Sequence, residues 1–462
     1  MLESILFALL GSFLALGIVQ LVLPSFGSLL DKPYLFSNVE PWPIVAAFFT
    51  IGLLSGILAG IYPAAILSKK KIIYALKGKP PRGKGQRLRK VLLIGQFVIA
   101  IFFLVCTAIV SEQISYFLNK DIGYNGDNVL IISSLPRTYS NAGVAKMIDL
   151  KNRFLSHPSV DKAALSYEIP DGRRGQDTEI KPVGKEEYLY FPLISTDEQY
   201  FATYDIPIIE GRRYRDDDYS KNRILLNETA ARELFGEESA IGKQVNLRNR
   251  PDQEVIGIVS DFNFGSLHTA IQGIVFMHTL DVNLYRYYSF KLKPDDINQT
   301  VDELTAIWRE VFPKAPFVYF FMDDKLDELY KAEDQFKRTL FIASIFALGI
   351  VLIGLFGTTL QSLSERTKEI GVRKTLGASI SNLWLMLLKS YAIILIISSI
   401  IAFPLAYFAM DKWLQNYAYR ISQSPAIYIV GFGLILLLTL LTIGYQIWKA
   451  SRANPVDSLR YE

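Results

Sequence analysis

The sequence predicts a polytopic α-helical membrane protein with six spans and a large extracytoplasmic α+β domain. Three observations predict it. Six apolar stretches, roughly 4–23, 43–67, 91–117, 339–360, 383–409 and 426–448, are long enough to cross about 30 Å of hydrocarbon as helices. Between the third and the fourth, residues 118–337 alternate strand and helix patterns. The short connections differ sharply in charge, as a membrane topology requires. With 50% of its residues hydrophobic, the chain is too apolar for an ordinary soluble protein.

The first stretch is too long for a signal peptide and lacks a small-residue cleavage site. The second carries Gly52, Gly56 and Gly60, a face that lets two membrane helices approach closely. Pro63 and Pro404 are expected to end or kink their helices. Lys69 to Lys90 holds ten basic residues and no acidic one, which assigns it to the cytoplasm. Four basic residues in 365–379, and Lys449, Arg452 and Arg460 in the tail, join it there. Six spans then put residues 118–337 on the opposite side, periplasmic if the membrane is a cell inner membrane. From Lys120 to Phe336 there are 26 basic and 36 acidic residues, against 23 and 9 elsewhere. The net +4 averages an acidic domain and a basic membrane part, so it points to no nucleic acid.

Within the domain, Val129–Ser134 reads as strand. Asn141–Leu155 reads as helix through Val144, Met147, Ile148 and Phe154, and Lys162–Ile169 as strand. The order returns as Tyr287–Leu292, Ile297–Phe312 and Phe317–Phe321, so two βαβ-like units flank an insertion over about 188–272. Asp216-Asp217-Asp218 reads as a solvated loop, since adjacent carboxylates do not converge on a cation. Cys106 is the single cysteine, and His157, His268 and His278 lack ligand spacing, so neither a disulfide nor a metal site is expected. Just before the fourth span, Leu326, Leu329, Tyr330 and Phe336 fall near one helical stripe, and Ser111–Leu118 continues the third span. The pair reads as a two-helix stalk, the alternative being amphipathic helices packed on their own domain.

No phosphate-binding G-x-x-x-x-G-K-[ST] loop, catalytic constellation or cofactor motif occurs. Charges inside the spans are almost absent, which disfavours an ion pathway. Work at the membrane therefore needs a partner. Six of the fifteen residues Glu365–Ser379 are charged, between two spans. Glu369 and Arg373 stand four apart, worth about 0.3–0.5 kcal/mol on an exposed helix. Val372, Leu376 and Ile380 form a separate apolar stripe, and Gly371 and Gly377 allow close approach of another surface.

The order of this loop resembles the cytoplasmic loop of the MacB/FtsX family of ABC-transporter permeases. Other markers agree in order: Tyr200–Pro207 with Glu210-Gly211-Arg212, Leu226–Ala231, Leu234-Phe235-Gly236, Ile241-Gly242-Lys243, Val255–Phe262 and Ser266-Leu267-His268. The resemblance implies a coupling loop at 361–382, with Glu369, Gly371, Arg373, Lys374, Gly377 and Ala378 at the contact with an ABC ATPase subunit. It also implies a stalk that transmits motion, a dimeric or pseudo-dimeric permease in membrane lipid, and a periplasmic adaptor or substrate protein as a further partner. The substrate would be a peptide, a lipoprotein or an antibiotic-like molecule. Residues 338–462 then form an FtsX-like three-span domain, 119–337 a MacB-like porter-type domain, 91–118 a span and stalk, and 79–90 a cytoplasmic linker. Tyr62, Ser68, Leu76 and Lys77 return as Tyr445, Ser451, Leu459 and Arg460 at one offset of 383. Residues 1–78 therefore resemble the last two spans of an incomplete first half, the chain as a whole resembling the C-terminal portion of an eight-span permease. A six-span protein that begins at Met1 is the alternative. Rival functions are a membrane sensor, a regulator of cell-wall hydrolases, or a nonfunctional fragment.

Overall fold

The computed structural model describes residues 2–29, 41–68, 84–136, 141–173, 175–215, 217–282, 285–293, 296–365 and 380–451. The chain opens with α1 (Leu2–Leu29), α2 (Pro41–Ser68) and α3 (Lys84–Asn119). There follow β1 (Val129–Ile132), α4 (Asn141–Leu155), β2 (Val160–Ser166), β3 (Gln176–Pro182), β4 (Leu189–Thr196) and β5 (Ile208–Gly211). Next come β6 (Arg223–Asn227), α5 (Glu228–Phe235), β7 (Gln244–Leu247), β8 (Arg250–Val259) and β9 (Val275–His278). The rest is β10 (Tyr287–Leu292), α6 (Ile297–Val311), β11 (Tyr319–Phe321), α7 (Met322–Leu329), α8 (Lys331–Glu365), α9 (Ile380–Leu414) and α10 (Pro425–Ser451).

Six helices are long and apolar enough to cross a membrane: α1, α2, α3, α8, α9 and α10. All six extend beyond the apolar stretches that predict them. Neither Pro63 nor Pro404 ends its helix: α2 continues to Ser68, and α9 to Leu414. The contacts divide the chain into two units. One is Met1–Ser111, Glu333–Asp411 and Gln423–Glu462; the other is Glu112–Ala332 with Lys412–Ser422.

In the helical unit, polar side chains link the spans. Thr107 Oγ1 meets Ser344 Oγ at 2.9 Å, joining α3 to α8. Ser398 Oγ donates to Ile94 O at 3.2 Å, Thr359 Oγ1 to the Tyr391 hydroxyl at 3.0 Å, and Gln446 Nε2 to Phe356 O at 3.0 Å. Hydrocarbon offers such groups no alternative partner, so they gather where helices face one another.

In the other unit the strands form one sheet, in the order β11-β1-β10-β2-β4-β3-β7-β8-β6-β9, with β5 paired to β8 off this path. The first four interleave the two βαβ units. β1 pairs antiparallel with β10 and β11, and β10 with β2, so each unit's strands enclose a strand of the other. β1 is buried along its length because both faces are covered. Leu130 and Ile132 meet Met147 and Phe154 of α4 and Leu304 and Trp308 of α6, while Val129 and Ile131 enter a central core. Asp296 begins α6 by accepting from Gln299 N at 3.2 Å. Val301, Leu304, Trp308 and Val311 then line one helical face.

The insertion is wider than the sequence suggests, because β3 and β9 belong to it. β9 pairs with both β6 and β4, which closes β4, β3, β7, β8, β6 and β9 into a ring. Closure removes exposed edges that would otherwise invite association. The family markers here are architecture. The Asn227 carboxamide accepts from Ala230 N at 3.0 Å and Ile274 N at 2.7 Å, and donates to Asp261 Oδ1 at 2.7 Å. Thr229 Oγ1 donates to Asp261 Oδ2 at 2.6 Å, so two markers distant in sequence cap α5 together. The aspartate run departs from the expected solvated loop. Asp218 is 1% exposed and pairs with Arg212 and Arg223, so it is a buried structural anchor. Against burial, these guanidinium hydrogen bonds hold its carboxyl well below the usual range. Asp217 stays exposed, and Asp216 lies outside the described residues.

Candidate relay site in the α+β unit

Four segments far apart in the chain meet in one aromatic cluster. Phe117 comes from the last turns of α3, Leu267 from the strap after β8, Tyr330 from the junction of α7 and α8, and Tyr417 from the connection after α9. All four are buried, with Leu329, Tyr116, Trp413 and Tyr419 packed around them. Phe117 stacks on Tyr330 at 5.0 Å between centroids and meets Tyr417 edge-on at 5.3 Å. Trp413 meets Tyr417 at 4.9 Å. Such pairs contribute about 0.5–1.5 kcal/mol each beyond area burial.

Hydrogen bonds fix the register of these contacts. Ala418 N donates to His268 O at 3.0 Å and Tyr419 N to Leu267 O at 3.4 Å. Leu267 N donates to the Tyr330 hydroxyl at 3.1 Å. Gln113, fully buried, donates to Tyr419 O at 3.0 Å and accepts from Ile421 N at 2.9 Å. Lys120 Nζ lies 4.7 Å from the centroid of the Tyr419 ring, a cation–π contact. The connection 412–422 is thereby held by its backbone at both edges. The strap itself is tightly seated: a Cβ on Gly265 would come within 2.8 Å of Gly172 Cα.

The four candidate stalk residues do not share one stripe. Leu326 packs against the central core, Leu329 and Tyr330 join the aromatic cluster, and Phe336 is 37% exposed on α8. The helix is interrupted at Tyr330, at φ −109° and ψ 12°. No proline or glycine causes the break. The buried Tyr330 ring and its bond to Leu267 N outweigh one more helical turn. Sequence reasoning passes over Gln113, Phe117, Trp413 and Tyr417. Three aromatic residues within Trp413–Tyr419 were the available signal; Gln113 offers none.

Of the candidate packing residues, Gly52 lies against Ser12, and a Cβ on Gly56 would come within 2.9 Å of Ala8 Cβ and 3.0 Å of Ile5 Cα. Gly60 is buried farther along α2. Glu369, Gly371, Arg373, Lys374, Gly377 and Ala378 lie outside the described residues, as does most of the basic segment from Lys69. Among the described residues no cluster of His, Cys, Asp and Glu could hold a metal ion.

Residues 92–307 match the MacB-like periplasmic core domain, and residues 341–455 the FtsX-like permease C-terminal domain. The chain belongs to the MacB/FtsX family of ABC-transporter permeases. One relative, the macrolide export ATP-binding/permease protein MacB of Aggregatibacter actinomycetemcomitans, is 29% identical over 242 residues, 48% of this chain and 36% of that protein. The probable syringafactin export ATP-binding/permease protein SyfD of Pseudomonas syringae pv. tomato is 23% identical over 399 residues, 81% of this chain and 56% of that protein. The chain thus spans less than two thirds of either relative. The crystal structure of the periplasmic region of MacB from Actinobacillus actinomycetemcomitans aligns with a TM-score of 0.32 at 21% identity, over 45% of this chain and 94% of that one. In this MacB/FtsX frame the aromatic cluster draws on both matched regions. Phe117 and Leu267 belong to the MacB-like part, Tyr417 to the FtsX-like part, and Tyr330 stands between them.

Proposed function

We propose that the chain is the permease subunit of an ABC exporter, driven by a separate ATPase subunit that docks on loop 361–382. The aromatic cluster is the observation that carries this reading. Segments continuous with α3, α8, α9 and α10 end in it, which supports a relay from these helices to the strap at Leu267. The sequence has no phosphate-binding loop, while the named relatives are ATP-binding/permease proteins. The ten-to-zero charge bias of Lys69–Lys90 supports a cytoplasmic linker and a periplasmic α+β domain in a cell inner membrane. The exported molecule belongs to the class of peptides, lipoproteins or antibiotic-like compounds. A dimeric or pseudo-dimeric assembly, and a periplasmic adaptor or substrate protein, complete the proposal.

The test is ATP turnover by the ATPase reconstituted with this permease in liposomes. Glu369→Lys reverses the charge offered to the partner, and Gly377→Trp obstructs close docking. Both variants should insert normally and lose the stimulated turnover. Unchanged turnover together with unchanged complex formation would reduce the loop to a solvated turn.

A further inference from the structure

A seam crosses the α+β unit where β2 meets β4. The two strands share one rung, Ser166 with Thr196. On either side of it, carboxylates take over from the ladder. Asp197 Oδ2 accepts from Leu165 N at 2.7 Å, and Glu168 Oε2 accepts from Ser195 N at 3.0 Å. One more backbone bond, Tyr167 N to Ser195 O, spans 3.1 Å.

The two carboxylates differ in counter-charge. Lys151 Nζ stands 3.0 Å from Asp197 Oδ2 and also pairs with Glu198, which in turn faces His278. Glu168 is buried, and among the described residues no cation forms an ion pair with it. It accepts from Gly175 N as well, and Arg286, just before β10, acts on it through space. Tyr200 faces it from the helical turn after β4, beside Tyr124, which precedes β1, and Asp171, which follows β2. Arg173 pairs with Asp171 and reaches Tyr287 of β10, and Lys325 of α7 acts on Asp171. The hydroxyls of Ser166, Thr196 and Tyr200 are fully buried and find no hydrogen-bond partner among the described residues.

We propose that this seam is a proton-controlled hinge, closed while Glu168 carries a proton and loosened when that proton leaves. An ionised carboxylate without a cation is costly in such surroundings. A protonated one keeps its bonds from Ser195 and Gly175 and gains a donor for a neighbouring hydroxyl. Opening hydrates the carboxylate and the three unpaired hydroxyls together. Burial pushes the Glu168 carboxyl up to about 7, despite the backbone hydrogen bonds it accepts. Its contribution to closure is therefore complete below the ordinary glutamate range and is lost as pH rises through about 7. Burial raises the Asp197 carboxyl as well, against the Lys151 ammonium beside it, so Glu168→Gln is the variant that isolates the Glu168 contribution.

Hydrogen exchange on the full chain in lipid nanodiscs tests this. Corrected for intrinsic rates, protection of the segment holding Leu193–Asp197 should fall about tenfold between pH 6 and pH 8. In Glu168→Gln it should not change over that range. Equal behaviour of the two chains would overturn the hinge. Should the variant fold poorly, infrared titration of the wild-type chain decides. A protonated carboxyl band with a midpoint near 7 is expected, and loss of every such band by about pH 5 overturns the proposal.

Discussion

On one side of the β2–β4 seam, strands β11, β1, β10 and β2 press Leu130, Ile132, Tyr288 and Phe290 onto Phe154 and Trp308 of the two helices. At the seam itself, Lys151, Asp197, Glu198, Glu168 and His278 are buried or nearly so, and side chains stand in for ladder bonds. The first region gains stability from apolar area, which is insensitive to pH and tolerant of geometry. The second depends on geometry and on charge state. A buried ion pair seldom adds stability over apolar side chains of the same volume, but breaking one is expensive. The domain thus keeps its strength in one place and its responsiveness in another.

The largest expected effect breaks the apolar side. Trp308 is fully buried and donates Nε1–H to Ala315 O at 3.0 Å. Trp308→Ala should cost about 4 kcal/mol, by the same amount at pH 6 and pH 8. Chemical denaturation followed by near-ultraviolet circular dichroism measures it, and a strong pH dependence of the loss would blur the contrast with the seam.

Next comes the seam. Lys151→Met leaves Asp197 and Glu198 without their ammonium and should cost about 3 kcal/mol at pH 8. In the native chain the His278 hydrogen bond and the Lys151 charge outweigh burial and hold the Glu198 carboxyl down to about 2. That depressed value adds stability present above the ordinary glutamate range and lost as pH falls toward 2. The gap between native and variant chains should therefore narrow in acid. A gap constant from pH 8 to pH 4 would show that Lys151 matters for its packing and not its charge.

The smallest effect concerns the aromatic cluster. Tyr330→Phe keeps the ring stack on Phe117 and removes the acceptor for Leu267 N. It should cost about 1 kcal/mol. If the strap is a relay, protection of the Leu267 amide against exchange should drop in this variant while Trp308 fluorescence stays unchanged. Unaltered protection would mean that Tyr417 and Ala418 hold the strap without help.

Local periodicity carried much of this architecture. Asn141–Leu155 and Tyr287–Leu292 were legible to the residue, because helix and strand periods are written within a dozen positions. The helix break at Tyr330 was not legible, because nothing beside it in sequence disfavours a helix. Its cause is Leu267, far away in the chain. The buried Asp218 was missed for a similar reason: Arg212 and Arg223 are near in sequence, but their convergence needs the turn between them. Tyr417 and Gln113 were passed over because their contacts belong to the fold and not to any local pattern.

By itself, the sequence determined six helices of membrane-spanning length, a polar domain between the third and the fourth, and its two βαβ-like units around an insertion. Hydrophobic length and period decide such features one segment at a time. Only the tertiary structure decided that β9 closes a ring with β4, that four distant segments share one aromatic cluster, and that Glu168 is buried with no ion-paired cation among the described residues. Each depends on pairings between residues far apart in the chain, and a local pattern does not encode which distant surface a side chain will meet.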